Sequence, residues 1–190
     1  MNQNKEALKN NGLRRLTSVA SICVAVALIA VKIGAYLETG SVALLSSLVD
    51  SVADLMASAI TAYGVIVAMR PPDREHRFGH GKAESLAALA QSIFISLSAL
   101  ALLHESAMRF IAPQPIENTD YGYKVMAFAI VLTSVLVALQ TYTVRRTGSL
   151  AIASDRLHYI GDIFVGIAVM ATFALQAQFE QALSWLRAIN

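Results

Sequence analysis

Cysteine is almost absent from this sequence, since Cys23 is the single example among 190 residues. One thiol excludes a disulfide-stapled fold and also a zinc site built from paired cysteines. Charged side chains are sparse, at 15% of residues, which is fewer than a soluble domain of this size carries. The net charge of +2 is too small to suggest a nucleic-acid partner. No cleavable signal peptide is visible, because the first residues are polar and the first apolar run is long enough to span.

The sequence is instead rich in long apolar runs, and 56% of its residues are hydrophobic. A run of about 18 or more apolar residues is typical of a membrane-spanning helix. The prolines lie in the connections between the runs, where they stop helices. We predict spanning helices near residues 16–37, 42–69, 83–111, 123–144 and 150–176. The fold class predicted is therefore all-α, a polytopic transmembrane helix bundle with five visible spans.

The predicted organisation has three parts. Residues 1–15 form an N-terminal segment, residues 16–177 form the bundle with a His-rich loop at 70–82, and residues 178–190 form an amphipathic tail. If the five helices alternate, most lysines and arginines lie on the side of the N-terminus, which predicts a cytoplasmic N-terminus. Lys32 lies near the outer end of the first helix, and we expect its ammonium group to reach the lipid headgroups.

Four ionisable side chains lie deep in two of the predicted spans. Asp50 and Asp54 are in the second helix, and His158 and Asp162 are in the fifth. Each pair is spaced i, i+4, so its members share one helix face. With a rise of about 1.5 Å per residue, both pairs lie roughly 12 to 18 Å from a boundary of the hydrocarbon core, on either side of the midplane.

Three carboxylates and one imidazole at a common depth are suited to bind a metal ion. Such a set can surround Zn²⁺ tetrahedrally, and its oxygen-rich character also admits Fe²⁺, Mn²⁺ and Cd²⁺. A dication also offsets the repulsion between the carboxylates. Two other interpretations stay open at this point: a helix-packing polar network with shared protons, and a proton relay without metal.

A second candidate metal site lies in the loop between the second and third helices. Asp73, His76 and His80 can supply three ligands, with water as the fourth. Gly79 and Gly81 allow the backbone to turn tightly between them. The alternative interpretation is a solvated polar loop with no ligand.

The strings that carry these residues resemble the cation diffusion facilitator family, and in particular its bacterial zinc and ferrous-iron efflux members. The most specific strings are Gly40–Ser51 with Asp54, Phe78–Glu84, and Leu157–Tyr159 with Asp162. The resemblance implies that Asp50, Asp54, His158 and Asp162 form an intramembrane transport site. It also implies that Asp73, His76 and His80 form a secondary loop site.

The resemblance further implies a secondary active transporter of the bacterial inner membrane that exports a divalent metal cation in exchange for protons. The ion, Zn²⁺ or Fe²⁺, is the transported substrate, with no organic cofactor and no enzymatic activity. Family members work as homodimers, and they usually have six spanning helices followed by a cytoplasmic domain. Only five helices are visible here, so a non-transporting metal-binding scaffold or sensor is the alternative. A membrane metalloenzyme is disfavoured because no H-E-x-x-H helix motif is present.

Overall fold

The computed structural model describes residues 2–40, 42–111 and 119–189, although some side chains within these ranges, chiefly those of 42–46 and 179–189, lie outside the description. The described residues form five α-helices and no strands. The helices are α1 (Asn2–Thr39), α2 (Val42–Ala68), α3 (Lys82–Ile111), α4 (Thr119–Thr147) and α5 (Leu150–Ile189). The predicted all-α fold class is confirmed.

Glycines with positive φ angles end two of the helices. Gly40 has φ 63° and donates its N–H to the carbonyl of Tyr36 at 2.8 Å, which closes the last turn of α1. Gly148 has φ 64° and bonds to the carbonyl of Val144 at 2.9 Å, which closes α4 in the same way. A residue without a Cβ adopts this left-handed conformation at little steric cost. The two glycines therefore set the sharp connections before α2 and α5.

Two helix ends differ from the prediction. The structure begins α1 at Asn2, so the polar N-terminal segment continues the first helix outward. Helix α5 continues to Ile189 instead of ending near 176, so no helix end marks the start of the predicted tail. No proline interrupts either stretch, and residues 178–189 also lack glycine, so nothing in the sequence stops the helix. The division into segment, bundle and tail stays a prediction.

The bundle has an apolar outer surface and a partly polar interior. Large apolar side chains face outward along the helices, for example Leu100 at 63%, Val131 at 65% and Phe164 at 69% exposure. The most deeply buried side chains include Gln91 and Gln140, each 0% exposed. A soluble protein rarely exposes continuous apolar faces of this kind, whereas lipid is a suitable solvent for them.

Among the described residues, four helices are long and apolar enough to cross a membrane. Their qualifying segments are Leu8–Glu38, Ser47–Ala68, Lys82–Met108 and Gly122–Thr147. The fifth predicted span lies in α5, where several side chains are outside the described set. The chain is therefore an integral membrane protein.

Helices α2 and α3 approach each other closely at Gly64. A Cβ atom at this position would overlap the Cβ of Ala87 and would lie 3.2 Å from the carbonyl oxygen of Ala83. Small residues allow such contact between membrane helices, where packing replaces the hydrophobic effect as the driving force. This contact fixes α2, which carries Asp54, against α3.

The substitution Gly64→Ala should separate α2 from α3 and destabilise the bundle by about 1–3 kcal/mol, because overpacking forces the backbones apart. The matched control is Gly34→Ala, since a Cβ at Gly34 meets no atom within 4 Å. Thermal unfolding in detergent should give a lower Tm for Gly64→Ala than for Gly34→Ala. Equal Tm values would contradict the close packing described here.

Candidate metal centre

Three of the four predicted membrane ligands come together between α2 and α5. The Nε2 atom of His158 lies 2.9 Å from Oδ1 of Asp54 and 3.7 Å from Oδ2 of Asp162. One ligand atom from each residue lies within 4.8 Å of the other two. The His158 side chain is only 6% exposed, whereas that of Asp162 is 41% exposed, so the group is open on one side. This arrangement has the size and the donors of a dication site.

The sequence brings these residues together through two regular features. His158 and Asp162 are spaced i, i+4 on α5, so both face α2. The helices α2 and α5 pack against each other, and they run in opposite directions if successive helices cross the membrane alternately. Asp54 then lies opposite His158, at about the depth estimated from helix rise alone.

Asp50 is not part of this group. It lies one turn from Asp54 along α2, its side chain is exposed, and it supplies no atom to the cluster. Because α2 and α5 have opposite directions, the register puts Asp50 near the depth of Asp162. The structure therefore assembles three predicted ligands, and the role of Asp50 as a fourth ligand stays a prediction.

Lys32 does not extend to the membrane surface as expected. Its ammonium nitrogen donates to the hydroxyl of Ser51 at 2.6 Å and to the carbonyl of Ser47 at 3.0 Å, both on α2. Ser51 lies between Asp50 and Asp54 in the chain, so a positive charge lies beside the acidic group. The nearby carboxylates of Asp54, Asp50 and Asp162 attract the ammonium group, because opposite charges interact strongly away from water.

A second polar cluster surrounds Asp155, a residue for which the sequence patterns indicated no role. Its Oδ2 accepts a hydrogen bond from Nε2 of Gln140 at 2.8 Å. Its Oδ1 lies 3.4 Å from both Nε2 of Gln91 and the hydroxyl of Ser58. The Ser58 hydroxyl is also 2.8 Å from the hydroxyl of Tyr159. The available signal in the sequence was a second acid in the fifth span, three residues before His158.

A third cluster ties the N-terminal end of α5 to α1 and α3. Arg14 forms an ion pair with Glu84 at 3.2 Å and donates to the carbonyl of Thr147 at 2.8 Å. The other oxygen of Glu84 accepts the backbone N–H of Leu150, the first residue of α5, at 3.2 Å. A carboxylate at a helix N-terminus satisfies a free N–H and interacts favourably with the helix dipole. We refer to these four residues as the Arg14–Glu84 clamp.

The predicted loop residues also form a compact group. The Nε2 atom of His80 lies 3.3 Å from Oδ2 of Asp73, and Nδ1 of His76 lies 3.3 Å from its Oδ1. One ligand atom from each residue lies within 4.8 Å of the others. Gly79, with φ 80°, provides the turn that returns His80 toward Asp73.

Backbone hydrogen bonds hold the Asp73 carboxylate in place. Its Oδ1 accepts the N–H of His76 at 2.6 Å and the N–H of Glu75 at 3.0 Å. The N–H of His76, followed by the nearby His80 and the N–H of Glu75, holds the pKa of Asp73 below its ordinary value. The Asp73 carboxylate is thus held in its ionised form, in which it can bind a cation.

The loop group should bind Zn²⁺ less tightly as the pH is lowered, because protonated imidazole cannot coordinate metal. Calorimetric titration of the Asp54→Ala variant isolates the loop from the membrane cluster. In that background, His80→Ala should abolish loop binding, whereas the neighbouring Glu75→Gln should retain it. Undiminished Zn²⁺ binding by the His80→Ala variant would show that the loop is only a solvated turn.

Comparison with known proteins gives a consistent match. The family model of the cation efflux transmembrane domain matches residues 18–185. A cation-efflux pump FieF of Shewanella oneidensis is 45% identical over 161 residues, which cover 85% of this chain and 54% of the relative. The corresponding pump of Pectobacterium carotovorum is 44% identical over 160 residues, covering 84% of this chain and 53% of the relative. This chain spans about half the length of the curated relatives that it matches.

Proposed function

The chain belongs to the cation diffusion facilitator family, and from this premise we propose that it exports a divalent transition metal ion from the cytoplasm in exchange for protons. The observation that carries the proposal is the contact of Asp54 with His158 and Asp162 between two helices of a membrane bundle. The named relatives are cation-efflux pumps, which agrees with a site for a passing ion.

The donor set defines the class of ion. Carboxylate and imidazole ligands suit Zn²⁺ and Fe²⁺, and they also admit Mn²⁺ and Cd²⁺ because no thiolate is present to select the softer ions. Asp50 joins the site as a fourth ligand when a dication draws its carboxylate toward Asp54. The ammonium group of Lys32 offsets part of the negative charge of the carboxylates when no ion is bound.

The distribution of basic residues supports a cytoplasmic N-terminus in the bacterial inner membrane. The basic residues on that side are Lys5, Lys9, Arg14, Arg15, Arg70, Arg74, Arg77, Lys82, Arg145, Arg146 and Arg156. In this orientation the loop site faces the cytoplasm, where it captures metal before the membrane site does. The transporting form is a homodimer, as the family resemblance implies.

Exchange follows from the chemistry of the ligands. Metal that enters from the cytoplasm displaces protons from the carboxylates and His158, since these groups bind metal only when deprotonated. Movement of the helices then opens the site to the outside by alternating access. Protons from outside compete for the same ligands and release the ion.

Substitution of Asp54 or Asp162 by alanine should abolish Zn²⁺ flux into proteoliposomes, because loss of one carboxylate leaves the ion incompletely coordinated. Substitution Asp50→Ala should abolish flux as well if its carboxylate completes the site. Glu6→Gln, which removes an exposed carboxylate near the start of α1, is the control and should preserve flux. Unchanged flux in Asp54→Ala would refute the site, and Zn²⁺ binding by the unsubstituted protein without flux would support the scaffold alternative.

Substitution His158→Asn should weaken the dependence of transport on pH, because a side chain that binds either a proton or the metal ion is removed. A residual flux is expected, since the amide oxygen is a weaker but neutral ligand. Zn²⁺ flux would be measured across a series of internal and external pH values. A pH profile parallel to that of the unsubstituted protein would exclude His158 from proton coupling.

A further inference from the structure

The hydrogen bonds around Asp155 join all five helices at one buried carboxyl group. Asp155 is 1% exposed, and the two glutamines that donate to it are each 0% exposed. Ser58 from α2, Gln91 from α3 and Gln140 from α4 approach the carboxyl group directly. Ser21 from α1 is linked through Nε2 of Gln140 at 3.1 Å. A polar group buried this deeply in a membrane bundle indicates a functional role.

The partners of Asp155 are neutral. Among the described residues, no lysine or arginine forms an ion pair with it. The ionisable groups that interact electrostatically with it are His158, Tyr159 and Asp162 on α5 and Asp54 on α2. The groups facing it from α1, α3 and α4 are the neutral side chains Ser21, Gln91 and Gln140. The charge of Asp155 is therefore not fixed by a permanent cation.

The surroundings can accommodate both forms of the carboxyl group. Both glutamine side chains direct their NH₂ groups at Asp155, as an ionised carboxylate requires. The Oε1 atoms of Gln91 and Gln140 are buried and have no hydrogen-bond donor among the described residues. Rotation of either amide would present this oxygen to the O–H of a protonated Asp155. A buried acceptor that lacks a donor in one state and gains one in the other is suited to a site that takes up and releases a proton.

The site lies close enough to the metal centre to sense the charge there. Asp155 is three residues from His158, a rise of about 4.5 Å along α5. Ser58 is one helical turn from Asp54 on α2. A dication at the centre favours the ionised form of a neighbouring carboxyl group, and its departure favours the protonated form.

We propose that Asp155 is a proton-binding site separate from the metal ligands, protonated when the centre is empty and ionised when a dication is bound, with Gln91 and Gln140 turning their amides to match. This inference rests on the proposed function. When metal binds, the O–H bond of Asp155 breaks, the electron pair stays on the carboxylate and the proton leaves to water. When the metal departs, one proton returns. Asp155 thus adds one proton to those exchanged by the ligands themselves.

The test counts the protons released per Zn²⁺ by calorimetric titration in buffers of different ionisation enthalpy. The full chain with His80→Ala in the loop provides the background, so that the membrane centre is the site measured. Asp155→Asn keeps the shape of the protonated acid and should still bind Zn²⁺, but it should release about one proton fewer per ion. Glu6→Gln, at an exposed position near the start of α1, is the carboxylate-removal control and should leave the proton count unchanged. An Asp155→Asn count equal to that of the background would overturn the proposal.

A second variant tests the same site if Asp155→Asn fails to fold. Gln140→Met preserves the approximate volume but removes the shortest hydrogen bond to the carboxylate, so Asp155 should hold its proton more tightly. Zn²⁺ affinity should then begin to fall at a higher pH than in the background. A purely structural role would lower the affinity equally at every pH, and a curve parallel to that of the background would overturn the proposal.

Zn²⁺ binding and proton release test the metal centre and the Asp155 proton site separately. If adding Asp54→Ala to the His80→Ala background leaves Zn²⁺ binding unchanged, the metal centre itself is wrong and the role of Asp155 falls with it. If Zn²⁺ binding depends on Asp54 but Asp155→Asn leaves the number of protons released per Zn²⁺ unchanged, the metal centre is correct and only the separate proton site is wrong.

Discussion

The contact between Asp54 and His158 joins α2 to α5 at 2.9 Å, and the polar interior is arranged around it. In lipid, an ionisable side chain without a partner carries a large free-energy penalty. Each of these two groups offsets that penalty for the other, with Asp162 nearby and the Lys32 ammonium held on α2. The same contact requires the two helices to keep one register. One turn away, Ser58 and Asp155 continue the same α2–α5 interface.

The sequence was sufficient to predict the helices and most of the candidate site. Long apolar runs identify membrane spans because lipid imposes both the length and the composition of a spanning helix. The i, i+4 spacing of His158 and Asp162 placed both on one face because helix geometry is nearly invariant. The loop group Asp73, His76 and His80 was predictable because its members are close in sequence and separated by a turn-forming glycine.

Other features depended on tertiary packing and could not be inferred from local spacing. The direction taken by the Lys32 side chain is set by serines of another helix, and no pattern within α1 indicates them. The partners of Asp155 come from helices distant in the chain, so a single acid near the end of a predicted span gave only a weak signal. The separation of Asp50 from the group is a matter of the relative rotation of α2 and α5. The continuation of α1 and α5 beyond the apolar runs reflects the absence of stop signals, to which hydropathy is insensitive.

The Arg14–Glu84 clamp has a mechanical consequence for α5. It fastens the first turn of a 40-residue helix to α1 and α3. When a helix tilts about a fixed end, the displacement of each residue grows with its distance from that end. His158 lies about 12 Å from the clamp, and the far membrane boundary lies about 30 Å from it. A tilt of α5 therefore moves His158 less than half as far as it moves the part of the helix at the far boundary. In the transport cycle that we propose, such a lever permits an exit to open while the ion remains held by its ligands until protons replace it.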